Sequence, residues 1–309
     1  MQVYQNSEQG QGLLGRSLSF SRSAVALGGF DAIHIGHQAI IRKVVETAKA
    51  EGLTSVVYLF CNQPRSVVKG QESPGIYPLS KRLEFLEELG VDVAVAEWFT
   101  PEFQEISPEV FVKKYLKDWL CAEFVAAGFD YRFGHKGSGD MARLQELCQA
   151  ERIQVYEQAP VLLDGEIVSS TRIRRLLQTG AVMDAEQCLG RPFSVSGTVV
   201  SGNRIGRTIG FPTANVEYQP AYLLPKQGVY LTKTKAEGSW YPSITHLGAR
   251  PTVTDGAIRL ETHLLQYQGD LYGKKIEVAF VKFLREVTKF KSLEDLQAQL
   301  CEDKKNAEI

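Results

Sequence analysis

The hydrophobic pattern of this chain changes its period once, and that change limits what it can fold into. Up to about residue 190, short apolar runs alternate with segments of helical periodicity. Residues 23–27 (SAVAL) lead into a helical stretch that starts near His37 and stops at Gly52. A second apolar run, SVVYLF at 55–60, follows. Strand, loop, helix and strand in this order make a βαβ unit. The alternation continues with a helix over 80–89 capped by Ser80, a strand over 91–96 and a helix over 108–119. A strand over 124–127, a helix over 140–150 and a strand over 154–156 come next. Such alternation predicts a mostly parallel sheet with helices on both faces. Two short helices, 171–179 and 182–189, stop at Gly180 and Gly190.

From Phe193 the chain is β-rich and broken by glycine and proline. The segments are SVSGTVV, GVYLTKTKA, SWYPSITHLG, RLETHLLQY and KIEVAFVKFL. This spacing predicts an antiparallel barrel or sandwich. A helix over 292–301 closes it. The sequence therefore divides into two domains, 1–189 and 190–309, the first opening with a polar lead-in that holds one short strand.

A chain of 309 residues buries a substantial core without help from disulfides or metals. Its 35 basic and 36 acidic residues leave a formal charge of −1. Nothing in that balance favours nucleic acid or an anionic membrane as partner. The five cysteines form no CxxC pair, which suits a reducing cytoplasm. No apolar run approaches the ~20 residues that span a bilayer. The expectation is a cytoplasmic protein, monomeric or weakly associating.

Two segments carry chemistry. The first, Gly29-Phe30-Asp31-Ala32-Ile33-His34-Ile35-Gly36-His37, lies between the first strand and the first helix. Ligands bind there in open α/β sheets, and a helix N-terminus presents free N–H groups to phosphate. His34 and His37 are three residues apart, so both imidazoles face one bound anion. Gly36 allows close backbone approach.

The second segment runs from Ser196 to Asn215 (SGTVVSGNRIGRTIGFPTAN). It contains no Walker-type GxxxxGK[ST], so a kinase built on it lacks a P-loop. Its glycines and arginines suit a phosphate cradle. In an extended chain Thr213 and Asn215 point to one face and offer neutral oxygens to Mg2+.

GGFDAIHIGH resembles the GxFDxxHxGH signature of the nucleotidylyltransferase superfamily, and VSSTRIR at 168–174 resembles its second signature. GRTIGFPTAN at 206–215 resembles the flavokinase signature, with LETH at 260–263 and GDLYG at 269–273 downstream. GFDYRFG (128–134), GRP (190–192), GARPT (248–252) and FLRE (283–286) extend the likeness. Together they resemble the bacterial bifunctional riboflavin kinase/FAD synthetase family from about Ala24 to Asp303.

The resemblance implies a Rossmann-like FMN adenylyltransferase domain with a parallel sheet. It also implies a C-terminal six-stranded antiparallel flavokinase barrel with a terminal helix. Riboflavin and ATP give FMN; FMN and ATP give FAD and pyrophosphate; Mg2+ assists. For the first site it implies His34, His37 and Arg174 as catalytic groups. Gly29, Phe30, Asp31, Gly36, Ser169, Ser170 and Thr171 would hold nucleotide. For the second it implies Glu261 as catalytic base, taking the proton of a weakly acidic ribityl hydroxyl. Gly202, Gly206, Arg207, Gly210 and Pro212 would hold nucleotide there, Thr213 and Asn215 the metal, and Arg285 the flavin. Asp270 is expected to cap a turn.

The chain departs from the family at two places. Cys61-Asn62-Gln63-Pro64 stands where an acidic residue and then PHP are usual, and Ala32 stands where glycine is usual. The alternative reading is therefore a riboflavin kinase whose adenylyltransferase domain is weak or inactive.

Overall fold

The computed structural model describes residues 1–7, 12–64, 74–201, 211–249, 258–288, 290 and 292–307, with backbone alone at seven positions of the last helix. It divides into two compact units, Met1–Ser170 and Thr171–Ile309.

The first unit is built on six parallel strands: β1 (Gln2–Gln5), β2 (Ser23–Leu27), β3 (Thr54–Phe60), β4 (Val93–Glu97), β5 (Ala122–Gly128) and β6 (Gln154–Gln158). Their spatial order is β1-β4-β3-β2-β5-β6. The chain works outward from β2 through β3 to β4, then returns to lay β5 on the other side of β2. The order therefore reverses between β2 and β5, the switch point where ligands bind in such sheets. All five residues of β2 are buried, as a central strand covered on both faces requires.

The first helix, Ile35–Glu51, buries Ile40, Ile41, Val44 and Ala48. It ends at Gly52, whose φ of 65° is the left-handed cap that glycine adopts without strain. The next helix, Leu79–Glu88, starts one residue earlier than the sequence suggests. Pro78 is its N-cap, and its carbonyl accepts from the amides of Lys81 and Arg82. Proline presets the entry angle there, so the hydroxyl of Ser80 is not needed as a cap. The turn Pro108–Val110 widens into a π-helix, Phe111–Trp119, whose Phe111, Tyr115 and Trp119 join the core against β5 and β2. A hairpin of β7 (Leu162–Leu163) and β8 (Glu166–Ile167) ends this unit.

The second unit is a closed antiparallel barrel. Its strands are β9 (Phe193–Val200), β10 (Ala214–Tyr218), β11 (Gly228–Ala236), β12 (Ser239–Ala249), β13 (Ile258–Leu264) and β14 (Lys275–Arg285). Around the barrel they run β10-β13-β12-β11-β14-β9. Closure removes the free edges that make open sheets prone to aggregation. The barrel interior is partly polar. Thr232, Thr234, Ser243, Thr245 and Thr262 are fully buried and bond to one another across β11, β12 and β13. Each hydroxyl can both donate and accept, so the network satisfies itself without water. A Cβ at Gly197 would run into the Glu217 carbonyl, which fixes glycine where β9 passes β10.

The helices Ser170–Thr179 and Val182–Leu189 precede the barrel, and the Leu177 carbonyl accepts from the Lys226 amide at 2.9 Å. The last helix, Leu293–Ala307, is longer than the sequence suggests, and Ser292 caps it by accepting from the Asp295 amide.

Candidate active sites

The loop that leaves β2 carries the first site. Phe30 and Ile33 both hold φ near 43°, a left-handed conformation that bulky residues adopt only when their surroundings impose it. Between them Asp31 is almost buried, and its Oδ1 accepts from Gln63 Nε2 at 2.8 Å and from the Ile76 amide at 2.9 Å. His34 is the N-cap of the first helix, and its Nδ1 accepts from the His37 amide at 3.2 Å. The two imidazoles stack with centroids 3.7 Å apart and planes 17° apart, and Phe30 meets His37 edge-on at 5.1 Å.

Spacing of i and i+3 at a helix start does bring both rings to the place where the free N–H groups point. A Cβ at Gly36 would lie 3.2 Å from the His34 ring, so glycine gives that ring its room. Burial, and then the neighbouring His34, hold the His37 imidazole well below its usual pKa range. Its Nδ1 is buried without a hydrogen-bond partner among the described residues. His37 is therefore a neutral ring and not a cation.

The opposite lip of the switch point is the loop after β5. There the Phe129 amide continues the pairing with β6 through the Gln158 carbonyl, and the Tyr131 amide turns back to the Gly128 carbonyl. The second signature follows the β7–β8 hairpin. The Val168 amide bonds the Val161 carbonyl, Ser169 follows it, and Ser170 and Thr171 open the helix Ser170–Thr179. No acidic residue occupies that first turn, which leaves its positive dipole end uncancelled. Ile173 and Leu177 face inward, and Arg174 is half-buried.

The altered wall is fully built. Cys61 donates to the Ala96 carbonyl at 3.1 Å, and burial pushes its thiol up to about 11, so it stays a protonated thiol. The Asn62 amide pairs both ways with the Phe99 backbone, at 2.9 and 2.8 Å, as a strand residue would. Arg82, only 2% exposed, donates to the carbonyls of Phe60 and Cys61 at 3.0 and 3.1 Å.

In the barrel, register assembles the second site. Asn215 on β10 is the direct partner of Glu261 on β13, which is in turn the partner of His246 on β12. Ala214 pairs with Thr262 one step along, and both point into the barrel. Asn215 and Glu261 consequently share the outer face. Each residue of the LETH segment has a separate task. Leu260 fills the core, Glu261 faces Asn215, and Thr262 enters the buried hydroxyl network. His263 Nδ1 lies 2.7 Å from the Pro212 carbonyl, and its ring meets Phe211 at 5.3 Å.

A cavity of about 610 Å3 opens beside them, lined by Pro212, Thr213, Thr262, Gly269, Asp270 and Tyr272 among others. Asp270 accepts from the Tyr272 amide at 3.0 Å, the turn expected of it. A second cavity of about 440 Å3 includes Asn215, Tyr218, Tyr222, Ile258 and Arg259. Gly202, Gly206, Arg207 and Gly210 lie outside the described residues, as do Arg250 to Thr252 of the GARPT segment. Arg285 is engaged elsewhere. Its guanidinium grips Asp303 of the last helix through Nε at 3.1 Å and Nη2 at 2.8 Å.

Gln63, Arg82, Thr262 and His263 were not singled out as site residues by sequence reasoning. Thr262 and His263 carried a signal in their place in the LETH segment, and Gln63 in the departing segment Cys61 to Pro64; Arg82 acts through contacts distant in sequence.

Residues 17–172 match a family model described as FAD synthetase, and residues 189–309 one described as riboflavin kinase. The chain is 37% identical over 285 residues to the bifunctional riboflavin kinase/FMN adenylyltransferase of Listeria monocytogenes, covering 91% of this chain and 90% of that protein. It is 34% identical over 286 residues to the protein of the same description from Haemophilus influenzae, covering 92% of each. A crystal structure from Streptococcus pneumoniae, described as a macrolide-efflux protein, superimposes with a TM-score of 0.85 at 30% identity over 96% of both chains. No described helix is long and apolar enough to cross a membrane. With both catalytic domains matched in order and relatives of one description spanning nearly its whole length, the chain belongs to the bifunctional riboflavin kinase/FMN adenylyltransferase family.

Proposed function

We propose that this protein phosphorylates riboflavin with ATP to give FMN, and then adenylylates FMN to FAD with release of pyrophosphate, in the cytoplasm. The observation that carries the reading is the register partnership of Asn215 and Glu261, which sets a carboxylate and an amide side by side on the outer face of the barrel.

In the kinase step the terminal ribityl hydroxyl oxygen bonds to the γ-phosphorus of ATP. The bond from that phosphorus to the bridging oxygen breaks, and ADP leaves. Glu261 takes the hydroxyl proton as the new bond forms. Thr213 and Asn215 would hold Mg2+, because both are neutral oxygen donors and such an ion completes its shell with phosphate and water. When bound, the ion supplies charge neutralisation on the phosphates. Gly202, Gly206, Arg207 and Gly210 would hold those phosphates, and Pro212 is held in place by His263.

In the adenylyl step a phosphate oxygen of FMN bonds to the α-phosphorus of ATP, and the bond to the pyrophosphate bridging oxygen breaks. The attacking oxygen is already ionised, so no base is required. What is required is stabilisation of charge on the leaving pyrophosphate. The first helix supplies N–H groups and dipole, and His34 and His37 supply ring N–H donors. Thr171 and Arg174 of the second signature are further candidate donors.

Incubating the purified protein with riboflavin, ATP and Mg2+, and following flavins by chromatography, tests the reading. FMN followed by FAD is expected. FMN without FAD would leave only the kinase half standing, and no turnover would overturn both.

A further inference from the structure

The segment Cys61 to Pro64 departs from the family pattern, yet one of its side chains is tied directly into the nucleotide loop. We infer that Gln63 is a positioning residue for adenylyl transfer, acting through Asp31. This rests on the adenylyltransferase reading above.

The geometry is that of a built clamp. Gln63 Nε2 donates to Asp31 Oδ1 at 2.8 Å, and the Ile76 amide donates to the same oxygen at 2.9 Å. The backbone at Gly75 passes so close that a Cβ there would lie 2.9 Å from that oxygen and 3.3 Å from Gln63 Nε2. Arg82 fastens the same corner from the helix Leu79–Glu88. It holds the carbonyls of Phe60 and Cys61, and its positive charge attracts Asp31. The end of β3, the turn at Gly75–Ile76 and the helix thus converge on one nearly buried carboxylate.

That carboxylate sits inside a strained stretch. Phe30 on one side and Ile33 on the other both hold φ near 43°. Such a backbone persists only where its surroundings over-determine it. The stretch also delivers the catalytic imidazoles, since Ile33 precedes His34 and the Phe30 ring abuts His37. Gln38 Nε2 secures the Ile33 carbonyl at 3.0 Å from the helix side, and Gln63 secures Asp31 from the sheet side. Loss of the Gln63 bond releases the sheet-side anchor of Asp31 and lets the loop relax. His34 and His37 then no longer meet the leaving pyrophosphate in register. Loss of a hydrogen bond to a charged group that is needed for positioning corresponds to roughly 10- to 100-fold in rate.

The test compares FMN-to-FAD turnover in wild type, Gln63→Ala, Gln63→Glu and Gln63→His, with riboflavin-to-FMN turnover and thermal unfolding measured on the same preparations. Gln63→Ala should lower kcat for FAD formation about 10-fold or more while leaving the KM for FMN and ATP within about threefold. Gln63→Glu matches the size but replaces the donor with a charge that repels Asp31, so its loss should be larger. Gln63→His restores a donor and should recover most of the rate. Kinase turnover should be unchanged in all three. Wild-type kcat in both Gln63→Ala and Gln63→Glu would overturn the inference. So would a loss that follows unfolding temperature and lowers both activities alike. If wild type itself forms no FAD, the adenylyltransferase reading falls and this one with it; an active wild type with indifferent variants removes this inference alone.

Discussion

Asn215 and Glu261 face each other as direct register partners across β10 and β13, with Ala214 and Thr262 turned into the barrel one step away. The pair joins two motifs that the chain keeps far apart. Glu261→Gln keeps the shape of the side chain and removes its basicity. FMN formation should fall by roughly 10²- to 10⁴-fold, the usual range for a general base, while FMN-to-FAD conversion stays within about twofold. Separate assays from riboflavin and from FMN on the same variant check this. Equal loss of both activities would contradict two independent sites.

The tether from His263 to the Pro212 carbonyl holds the end of the GRTIGFPTAN segment against β13. His263→Ala should raise the KM of the kinase for ATP and lower kcat, together about 10-fold in kcat/KM. FAD formation from FMN should not change. Steady-state kinetics in ATP measure it, and an unaffected kinase would show that Pro212 holds its place without the ring.

Asp303 is nearly buried, and both of its oxygens are taken by Arg285, with Gln299 donating at 3.1 Å. Arg285→Ala strands that carboxylate. Breaking a buried pair from one side costs about 3 kcal/mol or more, so the barrel unit should unfold several degrees earlier. Riboflavin affinity measured well below the transition separates this role from a flavin contact. Tight binding with a lowered unfolding temperature assigns Arg285 to the terminal helix.

The neutral His37 gives the first unit an acid limb. Its folded value lies below the unfolded value of about 6.5, so in acid the unfolded chain binds a proton that the folded site refuses. Stability is complete above the unfolded value and declines as the pH falls through it, by at most about 1.4 kcal/mol per pH unit. His37→Phe preserves a ring against His34 and Phe30 but cannot titrate. Thermal unfolding between about pH 7.5 and 5.5 should show a smaller decline in the variant than in wild type. Parallel curves would dismiss the effect.

Much of the fold was legible because its signals are local. Helical periodicity from His37 to Gly52, a glycine where the helix must turn left-handed, and apolar runs of strand length each depend on neighbours in sequence. The same holds for His34 and His37, whose spacing alone brings them together at a helix start. Strand β10 was less visible. Only Ala214 and Val216 turn inward in it, and it exists because β9 and β13 pair with it on both sides. The π-helical widening at Phe111–Trp119, which carries Phe111, Tyr115 and Trp119 into the core, is not announced by composition. The pairing of Arg285 with Asp303 was not legible either, because it joins β14 to the last helix across 18 residues.

The sequence by itself determined which chemistries this protein carries, because GGFDAIHIGH and GRTIGFPTAN are contiguous runs whose residue types are visible within a few positions. Tertiary structure decided how those segments are completed. It set Glu261 opposite Asn215, tied His263 to Pro212, gave Asp303 to Arg285 and Asp31 to Gln63. Each of those pairs joins residues from different elements. Strand register and helix packing fix such pairs through the burial of the whole barrel or sheet, and no window of the sequence contains that information.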